Sequence, residues 1–202
     1  MTIRLLLADD QALVRGALAA LLDLEPDLEV VAEVGSGDEV VSAATRNAPD
    51  VALLDVEMPG LDGIEATRAV KRAVPGLRVL IVTTFGRPGY LRRALQAGAD
   101  GFVVKDTPAR ELAEAVRRVH AGLRVVDPML AADSLVAGES PLTSRETDVL
   151  RASRDGASVA TVAGRLFLSP GTVRNHLSAA IGKTGSANRA EAVRVAEENG
   201  WL

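Results

Sequence analysis

The stretch DVALLDVEMPGLDG, residues 50–63, decides the fold. Its short apolar run ends on Asp55 and predicts a buried strand. Gly60 marks the turn that follows, and Gly63 opens a segment, 63–74, with the apolar spacing of a helix. A buried strand that leads into an amphipathic helix is the repeating unit of a parallel α/β sheet.

The same strand–helix unit occurs on both sides of this stretch. We predict strands at 3–8, 28–35, 50–55, 77–84 and 99–105, and helices at 11–22, 37–48, 63–74, 88–98 and 108–122. Five such units predict an α/β fold, a doubly wound five-stranded parallel sheet with helices on both faces. Right-handed crossovers bring the carboxyl ends of the strands to one edge, where ligands bind in such sheets.

The alternation of strands and helices stops near residue 122, which predicts further regions of a different kind. We expect a domain at 1–122, a linker at 123–140 with a short helix around 128–136, and an all-helical domain at 141–202. The four helices of that last domain are predicted at 143–153, 158–166, 169–182 and 187–198. Residues 1–140 hold 21 acidic and 15 basic side chains, a net charge of −6, whereas residues 141–202 hold 6 and 8, a net charge of +2. This asymmetry favours two tasks in one chain.

Composition excludes several classes of protein. The chain has 202 residues, of which 48% are hydrophobic and 25% charged, as in globular domains. It contains no cysteine, which excludes disulfides, thiolate zinc sites and cysteine nucleophiles. No run approaches the roughly 20 apolar residues of a membrane span, and the first residues do not have the pattern of a signal peptide. We therefore expect a cytoplasmic protein that does not bind membranes.

Polar side chains collect at the predicted strand ends. They are Asp9 and Asp10 after the first strand, Asp55 at the end of the third, Thr83 and Thr84 on the fourth, and Lys105 on the fifth. Any one of these acids can be explained as a helix cap, but together they predict a shared site at one sheet edge. Clustered carboxylates without cysteine or histidine favour Mg²⁺. In such a site Asp55 can attack phosphorus, and a lysine and a hydroxyl can donate to the charged product.

Four segments resemble the receiver domain of response regulators: LLLADD (5–10), DVALLDVEMPGLDG (50–63), VTT (82–84) and AGADGFVVKD (97–106). The resemblance covers about residues 2–122 and implies a flavodoxin-like fold with Asp55 as phosphoacceptor. It implies that Asp10, Asp55 and the backbone carbonyl of Glu57 bind Mg²⁺, with Asp9 helping to position the ion.

The same resemblance assigns roles in signalling. Thr83 and Lys105 would bind the phosphoryl oxygens, and Phe102 would move inward as a switch, although its chemistry alone predicts a core aromatic. A sensor histidine kinase would supply the phosphoryl group, and activation would produce a homodimer. The first and fifth helices are the expected dimer face, with four apolar residues that are equally good candidates for the core: Leu13, Val14, Val116 and Val119.

The C-terminal region contains a predicted helix-turn-helix. Thr143 and Glu146 have the spacing of a capping box. In FLSPGTVRNHLSAAIGK (167–183), Ser169 can cap a helix that has Pro170 in its first turn. Its predicted inward side chains are Val173, Leu177 and Ile181, and its predicted exposed ones are Thr172, Arg174, Asn175, Ser178 and Lys183. Arginine suits guanine and asparagine suits adenine in the major groove, although a solvated helix face has the same pattern.

The segments PLTSRETDVL, GRLFLSPGTVRNHLS and NRAEAV are similar to the NarL/FixJ (LuxR-type) helix-turn-helix across 141–202. This similarity implies that Arg174, Asn175 and Ser178 face the bases of double-stranded promoter DNA. Ser169, Thr172 and Lys183 would lie near phosphates, and the last helix would form a dimer contact. TTFGRPGYLRRAL (83–95) and VVDPMLA (125–131) resemble the DesR-like branch. RNA polymerase is a further candidate partner. Gly164, Gly182 and Thr184 depart from the family pattern, and we expect Gly182 to interrupt the recognition helix.

Two other interpretations use the same residues. An aspartate-nucleophile phosphatase would need a second aspartate two positions after the nucleophile, where this chain has Glu57. A transcription factor with a vestigial receiver would need no phosphorylation, but the complete set of acids disfavours it. We therefore expect a regulator and not an enzyme.

Overall fold

The structure, a computed structural model, describes residues 2–84, 86, 88–128, 130–132 and 140–202. It divides into two compact units, Met1–Gly86 with Tyr90–Ala132, and Arg87–Gly89 with Asp133–Leu202. The domain boundaries expected at 122 and 141 stay a prediction. Within the described ranges, no helix is both long and apolar enough to cross a membrane.

The larger unit is a parallel α/β sheet. Its strands are β1 (Ile3–Ala8), β2 (Leu28–Val34), β3 (Val51–Leu54), β4 (Arg78–Thr83), β5 (Gly101–Val104) and β6 (Val125–Val126). They lie in the order β2-β1-β3-β4-β5-β6, and every neighbouring pair is parallel. Almost every side chain of the central strands is buried, as expected for a sheet covered on both faces.

Helices cover both faces of this sheet. They are α1 (Ala12–Leu22), α2 (Gly37–Asn47), α3 (Gly63–Ala73), α4 (Pro88–Ala97) and α5 (Ala109–His120). Alternate strand residues point to opposite faces, so Leu6 packs in one core with side chains of α2, α3 and α4. Its neighbour Leu5 packs in a second core with side chains of α1 and α5. The predicted doubly wound fold is confirmed.

The predicted strand count needs one correction. A sixth strand, β6, lies in the segment expected to be a linker and pairs with β5 through Gly101–Val125 and Phe102–Val126. A strand of two residues is too short to produce a periodic apolar pattern. Residues 128 and 130–132 are helical, in agreement with the expected short helix. The rest of that helix, 133–136, lies outside the described residues.

Two of the four candidate dimer residues belong to the core. Val116 and Val119 are fully buried against the sheet. Leu13 is 87% exposed and Val14 is half-buried. Because α5 turns its apolar side to the sheet, its two candidates cannot contact a partner. Of the four candidates, only Leu13 of α1 is strongly exposed.

The smaller unit is helical in its described part. Its helices are α6 (Ser144–Arg151), α7 (Val159–Leu166), α8 (Pro170–Thr184) and α9 (Arg189–Glu198). Side chains from all four helices form one small core, with Leu150, Val162, Val173 and Ala192 fully buried in it. The Thr143–Glu146 capping box begins α6 as predicted.

Candidate functional site

Three aspartates meet at the carboxyl edge of the sheet. Asp9 follows β1 and Asp55 follows β3, and these neighbouring strands end in register, with Ala8 opposite Leu54. The backbone N–H of Asp55 donates to the carbonyl of Ala8 over 2.8 Å. Asp9 and Asp55 are each only 3% exposed, whereas Asp10 is exposed. One carboxylate oxygen from each of the three lies within 4.8 Å of the others.

Lys105 brings a positive charge into this cluster. It follows β5, and its backbone N–H donates to the carbonyl of Thr83 over 2.8 Å. Its ammonium lies 2.7 Å from Oδ2 of Asp9 and 2.8 Å from Oδ2 of Asp55. Its side chain is 12% exposed, so the ammonium group bridges two buried carboxylates.

The electrostatics of the cluster favour a further cation. Burial raises the pKa of Asp55, and the charge of Asp9 adds to this effect although Lys105 opposes it. Burial alone would lower the pKa of Lys105, but its hydrogen bonds to Asp55 and Asp9 raise it. Among the described residues, Oδ1 of Asp55 is buried without a hydrogen-bond partner. An unsatisfied carboxylate oxygen beside two more carboxylates is a donor set that suits a hard divalent ion.

The remaining predicted residues of this site occupy different positions. Thr83 is 1% exposed at the end of β4 and pairs with Val104, next to Lys105. Phe102 is fully buried in the core that α2, α3 and α4 cover. The side chain of Glu57 is exposed and is not part of the carboxylate cluster. Phe102 thus occupies the core position that its chemistry predicts, and its switch role stays a prediction.

Glycines shape the loop after Asp55. Gly60 has φ +73°, a backbone conformation that residues with a side chain rarely adopt. A Cβ atom on Gly63 would lie 1.9 Å from the carbonyl oxygen of Asp55, so only glycine fits there. Asp62 caps α3 by accepting a 2.7 Å hydrogen bond from the N–H of Glu65. These features hold the loop close to Asp55.

Sequence reasoning missed Arg15, which supports the site from α1. Its Nη1 donates to the backbone carbonyl of Asp9 over 2.5 Å, and its Nε lies 3.5 Å from Glu33 of β2. The spacing of α1 alone gives no signal for this contact, because it depends on where β1 and β2 place their ends.

The smaller unit presents a helix-turn-helix formed by α7 and α8. Phe167, which ends α7, has φ +55° and is 96% exposed. The hydroxyl of Ser169 caps α8 by accepting a 3.0 Å hydrogen bond from the N–H of Thr172. Val173 and Leu177 are buried, and Ile181 packs at the edge of the core. The exposed side of α8 carries the three residues expected to face bases: Arg174, Asn175 and Ser178.

The end of α8 differs from expectation, and the partner of Lys183, which is exposed as predicted, was not foreseen. The helix does not stop at Gly182: it runs to Thr184 and ends at Gly185, which has φ +64°. Lys183 points its ammonium at Glu146 of α6, with distances of 2.8 and 3.0 Å to the two carboxylate oxygens. No local pattern reveals a pair that is 37 positions apart.

Two family models match the chain in the same order as its two units. The model described as "Response regulator receiver domain" matches residues 5–117. The model described as "Bacterial regulatory proteins, luxR family" matches residues 140–196.

Relatives and solved structures agree with these matches. The transcriptional regulatory protein DesR of Bacillus subtilis is 42% identical over 200 residues, which are 99% of each protein. The DNA-binding transcriptional activator DevR/DosR of Mycobacterium tuberculosis is 37% identical over 205 residues, 97% of this chain and 94% of that protein. The crystal structure of the response regulator ChrA of a heme-sensing two-component system is 34% identical, with a TM-score of 0.60 over 100% of this chain and 99% of that one. The chain therefore belongs to the response regulators that join a receiver domain to a LuxR-type DNA-binding domain.

Proposed function

We propose that this response regulator accepts a phosphoryl group on Asp55 from a sensor histidine kinase and then binds double-stranded promoter DNA as a dimer. The observation that carries the proposal is the bridge from Lys105 to Asp9 and Asp55, with Asp10 alongside. It supplies both the carboxylate that would react and the ammonium that would neutralise the product.

Mg²⁺ fits the proposed site. Asp9, Asp10 and Asp55, with the backbone carbonyl of Glu57, would hold the ion, which when bound neutralises charge on the phosphoryl oxygens. An oxygen of the Asp55 carboxylate attacks phosphorus, the P–N bond to the donor histidine breaks, and the imidazole leaves with the bonding pair. Thr83 and Lys105 would then donate to the oxygens of the transferred group.

The charge added by this reaction is large enough to switch the domain. A phosphoryl group adds about −1.5 to −2 charges near pH 7. At about 4 Å and an effective dielectric constant of 20, a unit charge interacts with an ammonium by roughly 4 kcal/mol before desolvation. A remaining bias of about 1.4 kcal/mol shifts an equilibrium tenfold. The attraction of Thr83 and Lys105 to the phosphoryl group is therefore large enough to shift the domain between an inactive and an active state.

Dimerisation and DNA reading complete the proposal. The exposed Leu13 of α1 supports a dimer face that includes α1, and α9 would add a contact on DNA. On α8, Arg174, Asn175 and Ser178 would read bases, and Ser169 and Thr172, at its start, would lie near phosphates. RNA polymerase is a proposed further partner, and a cytoplasmic location follows because promoter DNA lies there.

Intact-mass measurement tests the acceptor. Wild-type protein mixed with acetyl phosphate and Mg²⁺ is expected to gain one phosphoryl group, and Asp55→Ala is expected to gain none. Asp106→Ala, which removes an exposed carboxylate beside Lys105 in the sequence, is the matched control and should react like the wild type. Labelling of Asp55→Ala would show that another residue is the acceptor.

The DNA reader is tested with a duplex selected from a random pool by the phosphorylated wild type. Arg174→Ala should weaken binding to that duplex by about 5- to 150-fold, since one bidentate base contact is worth about 1–3 kcal/mol. Arg151→Ala, which removes an exposed arginine of α6, controls for the lost charge. Equal affinities for Arg174→Ala and wild type would refute the assignment.

The phosphatase interpretation predicts a different observable. An enzyme would turn over a generic phosphate ester many times, whereas the proposed receiver would only hydrolyse its own phosphoaspartate. The relatives named above are transcriptional regulators, which supports the second outcome.

A further inference from the structure

Glu146 is a buried carboxylate in the smaller unit, where the side chains of the other described acids are each at least 35% exposed. Its side chain is 7% exposed, and it lies in the first turn of α6. Its Oε2 accepts a 2.7 Å hydrogen bond from the backbone N–H of Thr143, which closes the capping box. The same carboxylate receives the ammonium of Lys183 through both of its oxygens. One side chain thus joins the start of α6 to the last turn of α8.

Helix geometry separates Lys183 from Arg174, which would read bases. Lys183 follows Arg174 by nine positions in an unbroken helix. At 1.5 Å and 100° per residue, this spacing is about 13.5 Å along the axis and about 180° around it. Lys183 therefore lies on the opposite side of α8 from Arg174, toward α6.

The charge of Lys183 is already balanced by Glu146, although the lysine side chain itself is 38% exposed. Moving its ammonium to a DNA phosphate would leave the Glu146 carboxylate buried without a cation, which is strongly unfavourable. In contrast, no described residue forms an ion pair with Arg174 on the exposed side of the helix. The pair is thus suited to holding α8 in place and not to contacting the DNA backbone.

We propose that the Glu146–Lys183 pair positions the recognition helix, and that Lys183 acts through Glu146 and not through a phosphate. The proposal rests on the DNA-reading function proposed above and adds positioning residues to it. Val173 and Leu177 pack one face of α8 into the core. Apolar contacts are non-directional, so by themselves they restrict the rotation and sliding of a helix less than a directional ion pair does. The ion pair removes this freedom at the far end of the helix, so that Arg174 and Asn175 meet the bases in one register.

Two variants separate positioning from phosphate contact. Lys183→Met removes the ammonium and keeps a good helix former. Glu146→Gln removes the carboxylate charge, but its amide oxygen can still accept the N–H of Thr143 in a capping box. The double variant Glu146→Gln/Lys183→Met leaves neither charge behind, and Lys183→Arg preserves the pair as the conservative control.

The experiment measures affinity of the full-length, phosphorylated protein for the selected duplex and for a scrambled duplex across a range of NaCl concentrations. Fluorescence of Trp201, the single tryptophan, which packs at the edge of the helical core, establishes the conditions in which each variant is folded. We expect Lys183→Met and Glu146→Gln each to weaken selected-duplex binding about tenfold, roughly the effect of one mismatched base pair. Binding to the scrambled duplex and the salt dependence should not change, and Lys183→Arg should bind like the wild type.

The double variant distinguishes positioning from general stability. It contains no uncompensated buried charge, so its unfolding temperature should exceed that of Lys183→Met, yet its selected-duplex affinity should stay as low as that of either single variant. Recovery of affinity together with stability would overturn the proposal.

A phosphate contact predicts other results, and each would also overturn it. Lys183→Met would then weaken binding to both duplexes equally and reduce the slope of log K against log salt by about 0.9. Glu146→Gln would free the lysine and strengthen binding to both duplexes. Failure of the DNA-reading function itself is recognised separately, because Arg174→Ala would then leave the affinity for the selected duplex unchanged. In that case the positioning proposal would also be refuted.

Discussion

Replacement of Lys105 by methionine is the sharpest test of the carboxylate site. The ammonium is 2.7 Å from Asp9 and 2.8 Å from Asp55, and its side chain is only 12% exposed. At an effective dielectric constant of 20, each contact is worth about 6 kcal/mol before desolvation. Removing one partner of a buried pair generally costs about 3–5 kcal/mol, because the remaining charge is left uncompensated. We expect a loss in this range in the presence of EDTA.

Mg²⁺ should restore part of this loss. A divalent ion that binds the folded cluster and not the unfolded chain stabilises the fold by mass action. Lys105→Met leaves three carboxylates without a cation, so it should gain at least about 1.4 kcal/mol more from Mg²⁺ than the wild type, a tenfold difference in affinity. Lys71→Met is the matched control. Lys71 lies 2.6 Å from Asp100, away from the aspartate cluster. The stability that Lys71→Met loses should therefore be the same with and without Mg²⁺.

Hydrogen exchange of peptides from β1, β3 and β5 provides the measurement, because it reports the opening of this unit in the full chain. A loss of about 3 kcal/mol accelerates exchange through global opening by roughly 150-fold. The inferred link between Lys105 and a cation site would be refuted if Mg²⁺ stabilised both variants equally. It would also be refuted if Mg²⁺ did not stabilise Lys105→Met.

Two further predictions concern stability. Burial opposes the ionisation of Asp100, but its hydrogen bonds to Lys71, Val79 and Arg78 hold its pKa below the ordinary value of 3.8. Ionised Asp100 therefore stabilises the fold above that pH, and the advantage of the wild type over Asp100→Asn in urea unfolding should shrink only as the pH falls below 3.8; a difference that grows in acid would contradict this sign. Phe167→Gly should stabilise the helical unit by about 0.5–1 kcal/mol in melts followed by Trp201 fluorescence, because it relieves a left-handed conformation at a 96% exposed side chain. Phe167→Ala keeps the Cβ atom and should show no such gain, so equal stabilisation by both would disprove strain as the cause.

The fold was predictable because its signals are local. Each strand is a short apolar run, each helix has its own period, and parallel topology brings strand ends to one edge. The first strand was predicted at 3–8 and is observed at Ile3–Ala8, and the third helix was predicted at 63–74 and is observed at Gly63–Ala73. The positions of Asp9, Asp55 and Lys105 at one edge follow from the same rule.

Other features depend on packing across long separations in the sequence. The two-residue strand Val125–Val126 forms only because β5 offers an open edge. Val116 and Val119 are buried because α5 turns their face to the sheet, although their spacing also suits a dimer face. Gly182 is tolerated within α8, where packing of Val173, Leu177 and Ala180 outweighs its poor helix propensity.

The amino-acid sequence by itself determined two domains, a parallel sheet with an acidic edge and a capped recognition helix, because these depend on apolar periodicity and on residues close together along the chain. Only the tertiary structure decided which charges meet. It shares Lys105 between Asp9 and Asp55 and joins Lys183 to Glu146. A buried ion pair requires that folding bring two opposite charges together where their attraction offsets the loss of hydration. This depends on positions far apart along the chain, which no local pattern records.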